Sequence, residues 1–115
     1  MSYKTLHNFE QRSLEASRIK LKYVNRIPII VEQYCKKNKT NVFKHKYLSF
    51  PDFTVGQFQY YIRKRYDLSP EKALIFFIDN NKIAQMNMNM FETYNNHKDN
   101  DGFLYMTISE HETFG

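Results

Sequence analysis

What this chain has little of narrows it first. It holds one cysteine, Cys35, so it can build neither an internal disulfide nor a cluster of thiolate metal ligands. A reducing compartment is the expectation, with Cys35 a small, partly buried apolar residue rather than a nucleophile. Tryptophan is absent, glycine and proline occur three times each, and there is no internal repeat or low-complexity tract. No Gly-rich phosphate loop is present. The longest apolar run, Ala73 to Ile78, is far too short to cross a bilayer. Met1-Ser2-Tyr3 begins neither a signal peptide nor a myristoylation site. A chain soluble as made is therefore expected, with any membrane attachment added later. His7, His45, His97 and His111 fall in unlike segments without metal-ligand spacing, so zinc and a Cys–His nucleophile are both unsupported. Neither an enzyme nor a cofactor is expected.

What is present suits one folded domain. The 115 residues are 42% hydrophobic, and ten Phe and nine Tyr supply most of the bulk, enough for one core without metal or disulfide. Charge is unevenly spread. Residues 1–66 carry fourteen Lys and Arg against four Asp and Glu, a net of +10. Residues 67–115 carry three against eight, a net of −5. A basic half suits an anionic partner, whether nucleic acid, acidic headgroups or acidic peptide, and charge alone does not choose among them.

Periodicity orders the elements. Residues 3–23 read as helix in two pieces, the second capped by Ser13, with Leu14, Ile19, Leu21 and Tyr23 around its apolar side. Ile27-Pro28-Ile29-Ile30-Val31 reads as a buried strand whose proline stands near the start, where a missing N–H is tolerated. A charged turn at 36–41 leads to a second strand, Lys46 to Phe50, stopped by Pro51, so the two form a hairpin. Thr54-Val55-Gly56-Gln57 has capping-box spacing and opens a helix to about Arg65, with Val55, Phe58 and Ile62 on one face. Ser69-Pro70 restarts a turn. Leu74 to Ile78 reads as a central strand, turned by Asp79-Asn80-Asn81 towards a short strand near Ile83. Met90 to His97 makes a short helix, and Phe103 to Ile108 alternates as another central strand. Hairpin, helix and a last strand returning to the middle is the β-grasp plan, an α+β fold. Residues 1–25 form a helical extension, 26–109 the core, and 110–115 a flexible tail ending in glycine.

Several stretches then converge. KYVNRIPIIVEQ (Lys22 to Gln33), KYLSFPDFTVGQF (Lys46 to Phe58), IRKR (Ile62 to Arg65) and GFLYM (Gly102 to Met106) resemble the signature segments of the autophagy-related ubiquitin-like modifiers, the GABARAP-like family. The likeness runs from Phe9 to Gly115 in the family's order and spacing. It implies a β-grasp core with two extra N-terminal helices. It also implies a reaction that the protein undergoes without catalysing it. The carboxyl of Gly115 is adenylated, passed as a thioester between activating and conjugating enzymes, and joined to the headgroup amine of phosphatidylethanolamine. A glycine suits that end, because without Cβ it threads a narrow channel and exposes its carbonyl. Phe114 would be a handle for the conjugating enzymes and for a processing and deconjugating cysteine protease, with Arg63 and Arg65 as a docking surface. Lys64 lies between them, and cations in a last helical turn also complement the helix dipole.

The resemblance implies a second activity, capture of aromatic-x-x-aliphatic peptides in cargo receptors by strand addition at Lys46 to Phe50. A first pocket would be formed by Glu15, Ile19, Pro28, Lys46, Leu48 and Phe103. Lys22, Arg26, Lys44 and Lys46 would meet acids flanking the peptide. The second pocket, around Tyr47, Ser49, Phe50, Phe53, Phe58 and Tyr61, is where the chain departs from the family. Ser49 replaces an aliphatic floor, the proline has moved one place on to Pro51, and Tyr61 stands where leucine is common, so an altered preference for the aliphatic residue is expected. Gly102 stands in place of an aromatic. The implied location is cytoplasmic when free, and autophagosome and other vesicle membranes when lipidated. A ubiquitin-like adaptor that is never conjugated is the nearest alternative. A nucleic-acid binder is not expected, because the aromatics fall where a core needs them and no aromatic RNA-binding motif is present.

Overall fold

The computed structural model describes residues 1–66, 73–79 and 82–111. In chain order they form α1 (Tyr3–Leu6), α2 (Phe9–Lys22), β1 (Ile27–Cys35), β2 (Thr40–Ser49), α3 (Val55–Arg65), β3 (Ala73–Ile78), β4 (Lys82–Ile83), α4 (Met90–His97) and β5 (Leu104–His111). The strands make one five-stranded sheet in the order β2-β1-β5-β3-β4. Parallel β1 and β5 lie at its middle, flanked by antiparallel β2 and β3. This is the expected α+β ubiquitin-like β-grasp with two N-terminal helices. Ser69, Pro70, Asn80, Asn81, Phe114 and Gly115 lie outside the described residues.

The unbroken apolar run of β1 has a simple cause, since both of its faces are covered. Ile27, Ile29 and Val31 join a core with Val55, Phe58 and Ile62 of α3 and Leu104, Met106 and Ile108 of β5. Ile30 points to the opposite face and packs with Tyr3, Ala16 and Phe103. Burying an isoleucine completely contributes roughly 1.5–3 kcal/mol before the entropy of ordering it is subtracted. The reciprocal cap expected for α3 is present. Thr54 Oγ1 accepts from the Gln57 N–H at 3.1 Å, and Gln57 Oε1 accepts from the Thr54 N–H at 2.8 Å.

Four expectations need correction. α2 is capped by Asn8, whose side chain accepts from Gln11 N, while Ser13 lies within the helix. Its inward face is Arg12, Ala16 and half-buried Ile19, whereas Leu14, Leu21 and Tyr23 are exposed. β2 begins at Thr40 and ends at Ser49, so Phe50 lies beyond it. β5 continues past Ser109, pairing Glu110 with Leu74 and His111 with Ala73, so the sheet takes in two residues assigned to the tail. Gly102 is demanded by geometry: it has φ +97°, and a Cβ there would lie 3.1 Å from that of Ala16. It precedes β5, and Phe103 beside it is fully buried.

Candidate functional site

The outer edge of the sheet offers the first surface. Among the described residues β2 pairs only with β1, from Ser49 beside Ile27 to Thr40 beside Cys35, with a bulge opposite Val31/Glu32. The Met1 carbonyl accepts from the Phe43 N–H, so the N-terminus covers the edge at that point. The stretch from the bulge to Ser49 is left for an added strand.

Alternation assigns the neighbouring side chains. Lys46 and Leu48, opposite Ile30 and Pro28, share the face under α2. Lys46 Nζ lies 3.1 Å from Glu15 Oε1 and so ties β2 to α2 across the groove. Both groups are over one-third exposed, so the pair holds weakly and yields readily to a competing charge. Leu48 is 39% exposed and Ile19 half-buried, while Pro28 and Phe103 are fully buried beneath them. Of the six residues expected to form the first pocket, Glu15 meets Lys46, Ile19 packs with Phe103, and Leu48 stands opposite Pro28 in the β1–β2 pair.

The second pocket is more closed. Tyr47 and Ser49 face α3 and are 7% and 3% exposed, and Phe58 is 2% exposed, so in this conformation they offer a ligand almost no surface. Ser49 Oγ donates to the Phe50 carbonyl at 3.0 Å. Tyr61 stands edge-on to Tyr47 at 5.8 Å, and Phe50 packs on half-buried Phe53 at 5.4 Å. Burial pushes the Tyr47 phenol up from its ordinary value, the nearby Tyr66 hydroxyl adds to this, and Arg65 opposes it. Neither the Tyr47 hydroxyl nor the Tyr66 hydroxyl, both buried, has a hydrogen-bond partner among the described residues.

The expected cationic rim is split. The Arg26 guanidinium sits 3.9 Å over the Phe50 ring, and Lys22 lies over Tyr23. Lys44 sits at the β2 bulge and lines a cavity with Cys35 and Glu110. Ser49, at the Arg26 end, lies five positions further on, about 17 Å along a strand.

The basic end of α3 lies beside the last pairs of β5. Arg63 lines an open cavity with Leu74 and Ile75, and Leu74 pairs with Glu110. Arg63, Lys64 and Arg65 form the last turn of α3; Arg63 faces β3, whereas Arg65 approaches Tyr47 on the β2 side, so the two cations point to different sides of the helix.

Sequence reasoning missed a buried polar network under α2. Arg12 Nε donates to Asp101 Oδ2 at 2.9 Å and its Nη1 to the His7 carbonyl at 2.8 Å. Asp101 also accepts from the Phe103 N–H and the Tyr105 hydroxyl. Nearby, buried Glu32 accepts from the Tyr3 N–H, and Lys4 pairs with Asp99. Burial raises the Tyr105 phenol, and its hydrogen bond to Asp101 and that carboxylate's charge raise it further. Burial pushes Asp99 up, but the bond from Lys4, the Asp101 N–H and the nearby cations outweigh it and hold the carboxyl low. The only local signal was the acidic pair Asp99 and Asp101 ahead of an apolar strand.

The family model described as "Autophagy protein Atg8 ubiquitin like" matches residues 11–115. Autophagy-related protein 8 of Coccidioides immitis is 49% identical over 113 residues, spanning 98% of this chain and 96% of the relative. The protein of the same name from Emericella nidulans is also 49% identical, over 98% of this chain and 95% of its own length. The crystal structure of Trypanosoma brucei ATG8 superposes with a TM-score of 0.85 at 36% identity, covering 100% of this chain and 98% of that one.

Proposed function

The chain belongs to the Atg8 family of ubiquitin-like autophagy proteins, and from that premise we propose that it is a modifier attached through Gly115 to phosphatidylethanolamine. Once anchored, it gathers cargo receptors by binding their aromatic-x-x-aliphatic peptides.

In the attachment reaction the Gly115 carboxylate attacks ATP, diphosphate leaves, and a cysteine thiolate of the activating enzyme displaces AMP to form a thioester. A cysteine of the conjugating enzyme takes over the acyl group and frees the first thiol. The headgroup amine then attacks the thioester carbonyl, forms the amide and expels the second thiol. This chain contributes position and recognition, not catalysis. Phe114, Arg63 and Arg65 serve the conjugating enzymes and the cysteine protease that processes and deconjugates the family. The protein is cytoplasmic when free and is carried on autophagosome and other vesicle membranes when lipidated.

The observation that carries this reading is family membership across residues 11–115. The half-open edge of β2 beside α2 supports the peptide activity, since an extended peptide can satisfy the unpaired backbone groups there while its aromatic residue meets Ile19 and Leu48. Incubation with activating and conjugating enzymes, ATP and phosphatidylethanolamine vesicles, read by intact mass, tests the attachment. One added lipid, lost in Gly115→Ala, is expected. An unchanged mass with enzymes proven active on another family member would leave a peptide-binding adaptor instead.

A further inference from the structure

Parallel pairing of β1 and β5 brings the turn after β1 to the place where the chain leaves the sheet. Their register runs from Ile29 beside Leu104 to Gln33 beside Ile108, so β1 ends at Cys35 and β5 at His111 on the same rim. Cys35, Lys36, Lys44 and Glu110 line one open cavity there, of about 430 Å³. The turn itself carries Lys36, Lys37 and Lys39, and Lys44 follows at the β2 bulge. All four are exposed, and among the described residues none enters an ion pair. Lys39 adopts φ 53°, the left-handed conformation that closes the turn.

We propose that this lysine turn contacts anionic phospholipid headgroups and orients the anchored protein with its β1–β2 turn against the bilayer. The inference rests on attachment through Gly115 as read above. Gly115 lies four positions beyond His111, and four steps of chain span at most about 14 Å. The tether therefore keeps the turn's rim close to the leaflet. The Debye length of about 8 Å at physiological ionic strength lets exposed charges feel the surface over the inner half of that range. Lysine suits the task, since its hydrated point charge on a flexible stem needs no fixed partner geometry. An acidic protein would also attract these charges. The bilayer is favoured because it lies beside the turn whenever Gly115 is attached.

Two measurements separate this inference from the conjugation reading. In the first, the unconjugated full chain is floated with phosphatidylcholine vesicles with and without phosphatidylserine. Binding that appears with phosphatidylserine and fades with salt is expected. Lys36→Glu/Lys37→Glu/Lys39→Glu should weaken it by at least tenfold, since lysines at an anionic leaflet are together worth roughly 100-fold for three. Arg18→Glu/Lys20→Glu/Lys98→Glu, equal in net charge, should weaken it much less. Equal losses in the two triples, or no dependence on phosphatidylserine, would overturn the inference while leaving conjugation intact. In the second, a fluorophore on Asn38→Cys in a Cys35→Ser background reports quenching by headgroup-labelled lipid after conjugation. Quenching that requires phosphatidylserine supports the orientation. If the lysine triple instead slows conjugation on uncharged vesicles and leaves quenching unchanged, the turn serves the enzymes and the membrane role is refuted. Failure to conjugate at all would count against the attachment reading, and the flotation result would still stand.

Discussion

Replacing Arg12 by methionine tests the buried network most directly. The Asp101 side chain is fully buried and that of Arg12 is 10% exposed, 2.9 Å from it, so little water can compensate for a lost partner. After Arg12→Met, Asp101 keeps the Phe103 N–H and the Tyr105 hydroxyl but holds its charge without a cation. Removing one member of such a pair costs roughly 3–5 kcal/mol. For a domain of this size each kcal/mol lowers the melting temperature by about 4 °C, so a fall of about 12–20 °C is expected. The more demanding test is the second substitution. Asp101→Asn alone should also destabilise, by stranding the guanidinium. In the Arg12→Met background it should instead restore about 1–3 kcal/mol, because a buried charge is removed while the hydrogen bonds are kept. The amide carbonyl still accepts from the Phe103 N–H, and the amide NH2 can donate to the Tyr105 oxygen. Urea denaturation of all four proteins, read by circular dichroism, closes the cycle. A loss under about 1 kcal/mol for Arg12→Met, or a double variant no more stable than the single one, would refute the buried-charge reasoning.

Other expectations follow from single contacts. Ser49→Val should strengthen binding of peptides with a bulky aliphatic last residue relative to those with a small one, and calorimetry that finds an unchanged ranking would remove Ser49 as a determinant. Gly102→Ala should cost about 1–3 kcal/mol, from left-handed backbone strain and the close approach to Ala16, and thermal melting would read it. Asp99 is held below its unfolded value of about 3.9, so it stabilises above that pH, and the contribution fades as pH falls through the folded value. Asp99→Asn should therefore be the less stable protein at neutral pH and should approach the parent in acid. Tyr105 is raised, so above about pH 10 the unfolded chain ionises first and stability falls; Tyr105→Phe should flatten that alkaline limb.

The contrast between β1 and α2 shows what made parts of this fold legible. In β1 the side chains alternate between two covered faces, so Ile27, Ile29, Ile30 and Val31 had to be apolar and the strand announced itself. In β5 and the residue before it, the same alternation separates Leu104, Met106 and Ile108 from Phe103 and Tyr105. The inner side of α2 is not legible from hydrophobicity alone, because side-chain size decides which face can pack. Its inner stripe is Arg12, Ala16 and Ile19, and Ala16 lets the helix approach Gly102 so closely that a leucine there would clash. Arg12 can face inward only because Asp101, distant by 89 residues in sequence, meets it. That partnership leaves no periodic trace in either segment. The end of β5 escaped for a related reason, since Glu110 and His111 are polar and remain in the sheet through backbone pairing with β3. The candidate site divides along the same line. The edge of β2 and the helix beside it could be placed from strand order, whereas the Arg26–Phe50 stack and the Lys46–Glu15 bridge depend on how separate elements meet. On the peptide-binding reading proposed above, those two contacts are the ones a peptide has to displace. Arg26 is engaged at one end of β2 and Lys46 nearer its middle, so on that reading an acidic peptide competes with Phe50 for the first and with Glu15 for the second.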